Sequence, residues 1–137
     1  MELAPMVISQ VEFDWDWFSG CITRVADKVG ADYTPDSIYL SLVDDEVAAY
    51  KVVDGDVIGL LIMSEYTAKY TGDEVLFVDV ACIDGVGNLP SLEKALTDMC
   101  VDYGYDRLEF ASTRKGWLHY LESADFEAVT TFSKRID

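Results

Sequence analysis

One stretch does more than any other to limit what this chain folds into: the apolar run Val75–Cys82, the turn Asp84-Gly85-Val86-Gly87-Asn88, and the helix-period segment behind it. The run is broken only by Asp79, as in a central strand covered on both faces. Beyond the turn, Leu92, Ala95, Leu96, Met99, Cys100 and Tyr103 fall at offsets 0, 3, 4, 7, 8 and 11, one face of an amphipathic helix. Asn88, Leu89 and Pro90 open it and Gly104 ends it. A strand that passes through glycines into a helix brings backbone N–H groups and the positive end of the helix dipole up to an anion, phosphate above all. Leu108 and Phe110 alternate with Glu109 in a further strand. Trp117, Leu118 and Leu121 give a short helix, and Phe126–Ile136 a closing strand.

The first half supplies the remaining layers. Met6–Val11 alternates weakly, which predicts a first strand. Asp14 is a candidate N-cap, followed by a helical stripe of Phe18, Cys21, Ile22, Val25, Ala26 and Val29 that Gly30 closes. Gly20 inside this helix points to close packing. Thr34-Pro35-Asp36 is a second helix start: a hydroxyl cap, a proline in the first turn and an acid the dipole favours. Asp54-Gly55 between the apolar runs Val47–Val53 and Val57–Glu65 predicts a hairpin.

Composition narrows the functional classes. With 137 residues, half of them hydrophobic, the chain is expected to form one domain over residues 1–137 with a real core. The formal net charge of −16 excludes a basic nucleic-acid-binding surface and disfavours anionic membranes. It leaves three accounts of the acids: a solubility surface, a face for a basic partner, or an imitation of DNA. They are scattered, the longest run being Asp44-Asp45-Glu46. No apolar stretch reaches the ~20 residues of a membrane span, and the N-terminus lacks the basic and apolar regions of a signal peptide, so a cytoplasmic location is expected. Cys21, Cys82 and Cys100 show no metal-ligand spacing and lie in apolar segments, as buried free thiols of a reducing compartment would. With one histidine, His119, no histidine metal cluster is available, and no metal is expected.

The order of elements resembles the GNAT acetyltransferase fold. The resemblance implies an α/β (α+β) chain with a mixed, mainly antiparallel sheet of about six or seven strands and about four flanking helices. In that family the loop after the fourth strand reads [Arg/Gln]-x-x-Gly-x-[Gly/Ala], and its N–H groups hold the pyrophosphate of acetyl-CoA. The matching stretch here is Cys82-Ile83-Asp84-Gly85-Val86-Gly87-Asn88: both glycines are present, Cys82 replaces the leading Arg/Gln, and Asp84 adds negative charge. The implied cofactor-binding residues are Val80, Cys82, Gly85, Val86, Gly87 and Asn88, with acetyl-CoA as cofactor. A narrower resemblance is to small GNAT-like proteins of tailed bacteriophages and metagenomes. It rests on Phe77-Val78-Asp79-Val80, the altered loop and Arg114-Lys115-Gly116-Trp117.

The same resemblance marks two catalytic candidates. Asp79 lies on the strand where the family often places its general base; otherwise it is an acid on a solvated face or paired with Arg107. Many relatives carry a proton-donating tyrosine five residues before a Gly-Phe pair. Here the pair is Asp125-Phe126, that position is Leu121, and Tyr120 stands next to it, with His119 as the other possible donor. Arg107, Arg114 and Lys115 gather cations that either meet a phosphate or an acidic partner or offset nearby acids. The expected function is transfer of acetyl from acetyl-CoA to an amine, with a cationic amine or a basic protein suiting the charge. The alternatives are a catalytically degenerate GNAT-fold scaffold in phage virion assembly and an acidic DNA mimic.

Overall fold

The computed structural model describes residues 1–110, 115–127, 134 and 136. Its elements are β1 (Glu2–Met6), α1 (Ile8–Phe13), α2 (Trp15–Val29), α3 (Pro35–Val43), β2 (Ala48–Asp54), β3 (Asp56–Thr67), β4 (Glu74–Ile83), a 3-10 turn (Val86–Asn88), α4 (Leu89–Tyr103), β5 (Arg107–Phe110) and α5 (Lys115–Ser123). Five strands lie side by side in the order of the chain, antiparallel from β1 to β4 and parallel between β4 and β5. The parallel step needs a crossover, and α4 provides it. The closing strand expected over Phe126–Ile136 lies largely outside the described residues.

Local chemistry accounts for the elements. Thr34 caps α3: its hydroxyl accepts from the Ser37 N–H at 3.1 Å, and Pro35 sits in the first turn. Gly55 takes φ 78° at the tip of the β2–β3 hairpin, the conformation its Asp-Gly pair is suited to. Gly30 and Gly104 close α2 and α4 in left-handed caps.

Two expectations for the first segment fail. The strand ends at Met6, and Ile8–Phe13 is a helical turn, because the Gln10 side chain accepts the Val7 N–H and holds the turn closed. Asp14 does stand at the N-cap of α2, its carbonyl accepting from the Phe18 N–H at 2.9 Å, while its carboxylate caps nothing and pairs with Lys51 on β2 at 2.8 Å. Gly20 marks no close packing either, since a Cβ there would meet nothing within 4 Å.

Two apolar layers sandwich the sheet. Phe18, Cys21, Ile22 and Val25 of α2 pack with Ile38 and Leu42 of α3 on Leu60, Ile62, Val80 and Cys82. On the other face Leu89, Leu92, Leu96 and Cys100 of α4 pack on Val52, Leu61, Met63, Leu76 and Val78, with Tyr120 and Leu121 of α5 alongside. Fully buried leucines such as Leu92 and Leu96 each contribute roughly 1.5–3 kcal/mol.

One irregularity shapes the centre of the sheet. Leu76 and Val78 face α4, yet Val80 and Cys82, of the same parity, face α2. An unbroken strand cannot do this. The register supplies the reason: Ile62 pairs with Val80 and Met63 with Val78, so Asp79 is an extra residue bulged out of β4.

Candidate active site

The bulge follows directly on the β4–β5 pairing seen among the described residues. β5 runs beside β4 from Val75 to Val78. From Asp79 to Ile83, β4 keeps β3 on one side and has no strand on the other among the described residues. The strand then enters the glycine turn and α4, so a stretch of β4 with no strand on one side among the described residues leads from Asp79 to a helix N-terminus.

Asp79 is half-buried, and its Oδ2 is buried with no hydrogen-bond partner among the described residues. Burial pushes its carboxyl above the usual aspartate range, partly offset by the Ser64 side chain and by its own backbone. Arg107 is not its partner; that guanidinium reaches Asp73 at 3.3 Å and Glu109 at 3.7 Å. Tyr33, in the loop between α2 and α3, shares the neighbourhood. Burial raises its phenol first, and the charges of Asp79 and Cys82 raise it further.

The turn is held by short polar contacts. The Asp84 N–H donates to the Ile58 carbonyl at 2.9 Å, and the Asn88 side chain donates to the Asp84 carbonyl at 2.7 Å. Gly85 has φ 81°, which a side chain would strain. Gly87 faces open space, and no acid lies in the first turn of α4. The first N–H groups of such a helix lack intrahelical partners and carry its positive partial charge. Val86 and Asn88 form the 3-10 turn with Gly87 between them. Where β3 meets this end of β4 the backbones nearly touch: a Cβ on Gly59 would lie 2.4 Å from the Cys82 carbonyl oxygen.

The cation at this end of β4 was not visible in any motif. Arg24 reaches over from α2, and its Nη2 donates to Cys82 Sγ at 2.8 Å and to Cys21 Sγ at 3.8 Å. It forms no ion pair among the described residues, and the charge of Asp84 is among those that strengthen its hold on its proton. The only sequence signal was its place three residues after Cys21, at the margin of the buried stripe of α2. Arg24 also borders an open hollow of about 570 Å³ on α2, with Gly20, Thr23 and Asp27, apart from β4.

The catalytic candidates are not all brought together. Val80 and Cys82 lie on β4 beside Asp79, with the turn directly after them. Tyr120 belongs to the opposite apolar layer, where burial first and then Glu93 raise its phenol. His119 is exposed on α5, Lys115 opens that helix, and Arg114 lies outside the described residues. Among the described residues no group of three or more His, Cys, Asp or Glu is placed to hold a metal ion, and no helix is long and apolar enough to cross a membrane.

Four antiparallel strands with a bulge in the fourth, a parallel fifth, and a glycine turn into the crossover helix define the GNAT acetyltransferase fold. Solved structures bear this out. The chain is similar over 100% of its length to a probable acetyltransferase, of which it covers 99%, with TM-score 0.72 and 11% identity. It is similar to a ribosomal-protein-alanine N-acetyltransferase from Brucella melitensis biovar Abortus 2308, with TM-score 0.70, 19% identity and 99% and 100% of the two chains covered. A third is the aminoglycoside acetyltransferase meta-AAC0020 from an uncultured soil metagenomic sample, in complex with sisomicin. Its TM-score is 0.68 and its identity 10%, over 99% and 96% of the two chains. No protein-family model matches the sequence, and no curated protein matches it.

Proposed function

We propose that this chain is an acyl-CoA N-acyltransferase that acts on a cationic amine. The observation that carries the reading is Asp79: a bulged carboxylate whose buried Oδ2 has no hydrogen-bond partner among the described residues, on the stretch of β4 that runs into a glycine turn and a helix N-terminus. The residues present fit acetyl-CoA. The turn is open at Gly87, the first turn of α4 carries no acid, and Arg24 supplies positive charge beside Cys82 where the family motif has Arg or Gln. Acetyl-CoA would supply the acetyl group as an activated thioester.

The chain's own residues do the rest. Gly85, Val86, Gly87 and Asn88, with the N-terminus of α4, hold the pyrophosphate, and Arg24 offsets the charge of Asp84 beside it. The main-chain groups of Val80–Cys82 orient the acyl group. Asp79 Oδ2 takes the proton that an ammonium must lose before it attacks, a task suited to a carboxyl held above its usual range. The leaving thiolate takes its proton from water, since Tyr120 lies in the apolar layer opposite Val80 and Cys82. The net charge of −16 draws cations in and favours a cationic acceptor over a neutral one. The aminoglycoside and ribosomal-protein neighbours support this choice through the amines in their names.

Calorimetric titration of acetyl-CoA into the full chain and into Gly87→Trp tests the reading. Micromolar binding in the parent, lost in the variant, is expected. No heat and no thermal shift at millimolar cofactor would overturn it and leave a non-catalytic scaffold, such as the virion role the narrower resemblance implies.

A further inference from the structure

A second reactive centre lies at this end of β4 and shares Cys82 and Arg24 with the proposed acyl-transfer site. Cys21 on α2 and Cys82 on β4 sit in one apolar layer, each 4% exposed, with no disulfide between them. One guanidinium nitrogen, Arg24 Nη2, serves both sulfurs, at 2.8 Å from Cys82 and 3.8 Å from Cys21. We propose that these three residues form a peroxide-reactive thiol pair: Cys82 is the attacking sulfur, Arg24 the cation that holds it as thiolate, and Cys21 the thiol that resolves it into a disulfide.

The electrostatics agree with this division of labour. Hydrogen bonding with Cys21 lowers the Cys82 thiol, burial opposes, and Arg24 lowers it further. Contact with Cys82 and burial raise the Cys21 thiol, and Arg24 Nη2 stands nearer Cys82 than Cys21, so the cation favours the thiolate on Cys82. Burial selects the oxidant. Hydrogen peroxide is small enough to reach a sulfur with 4% exposure, whereas a tripeptide disulfide is not. Cys100 is an internal control: it lies in the other layer on α4, and burial alone raises its thiol.

The chemistry balances with hydroperoxide as co-reactant. The Cys82 thiolate attacks one peroxide oxygen, the O–O bond breaks, and the departing hydroxide takes up a proton as water, leaving a sulfenic acid. The Cys21 sulfur then displaces hydroxide from that sulfur. The S–S bond forms, and the Cys21 proton leaves with the hydroxide as a second water. Two thiols lose two electrons, and one peroxide becomes two waters. The proposal holds whether or not acetyl-CoA binds.

The test treats the full chain with one equivalent of hydrogen peroxide, alkylates the remaining thiols, and maps them by mass spectrometry. The expected product is a Cys21–Cys82 disulfide, lighter by two hydrogens and reversed by dithiothreitol, with Cys100 alkylated. In Cys21→Ser the sulfenic acid should persist on Cys82 and be trapped by dimedone added with urea to open the fold. Arg24→Gln, folded by circular dichroism, should react about 3–10-fold more slowly at neutral pH. Oxidation spread evenly over the three cysteines, oxidation confined to Cys100, or an Arg24→Gln rate equal to the parent's would each overturn the proposal.

Discussion

Two residues carry opposite kinds of strain. Asp79 is a charge that the fold desolvates. Burial holds its carboxyl above the ordinary range, so the folded chain binds that proton more tightly than the unfolded chain does. The stability linked to this group is therefore complete below the ordinary aspartate pKa and lost as pH rises through the raised one. Asp79→Asn stays neutral and escapes the loss. At pH 7 we expect its Tm to exceed the parent's, with the gap closing as pH falls into the ordinary aspartate range. A gap that ignores pH would show that Oδ2 is partnered in solution. If Asp79 is the general base, the same variant should lose about 10²–10⁴-fold in turnover. Gly59 is the opposite case, a residue that must have no side chain. A Cβ would stand 2.4 Å from the Cys82 carbonyl oxygen and 2.6 Å from the Ile83 side chain, so Gly59→Ala forces two backbones apart. Urea unfolding should show a loss of about 1–3 kcal/mol. Asp79 was legible in the sequence as an acid inside an apolar run. Arg24 and Gly59 were not, because their partners are distant in the chain and belong to no motif.

Among the elements, those with local causes were legible and those with tertiary causes were not. The cap at Thr34, the Asp54-Gly55 turn and the stripe of α4 are written in adjacent residues, and all three form. The bulge was hidden because apolar residues stand at 76, 78, 80 and 82 on both sides of Asp79, so the sequence reads as one unbroken strand. Only the two helical layers, one on each face, show that the parity changes. α1 is the exception: its cause is local, with Gln10 accepting the Val7 N–H, but the alternation of Met6–Val11 reads as a strand. α2 offers a clean test at this scale. Its glycine at position 20 is exposed, has no positive φ and would place a Cβ in open space. Gly20→Ala should therefore stabilise the chain by about 0.5–1 kcal/mol through helix propensity alone. A measured loss would mean that an occupant of the hollow beside Arg24 needs the missing side chain.

The whole molecule is dominated by charge that the fold does not neutralise. Of the cations described, Lys51, Lys94 and Arg107 engage carboxylates, and the Lys94 pair is an exposed i, i+4 contact of little energetic weight. Set against 26 acidic residues, this leaves most carboxylates facing one another across water. Self-repulsion of this kind destabilises the compact state and is screened by salt, since the Debye length falls from about 30 Å at 0.01 M to about 3 Å at 1 M. Tm should accordingly rise as sodium chloride is added through that range, with most of the gain below about 0.2 M, where screening first becomes shorter than the molecule. Binding of a cationic amine should move the other way and weaken over the same interval, because the field that gathers the amine is the field that strains the fold. Acetyl-CoA, an anion held locally by a helix N-terminus and Arg24, should instead bind more tightly as salt screens the surrounding acids. Parallel titrations of acceptor and cofactor at low and moderate salt therefore separate the two sites. If both weaken together, the acidic surface does not act on the cofactor, and its charge must be neutralised by residues beyond Arg24.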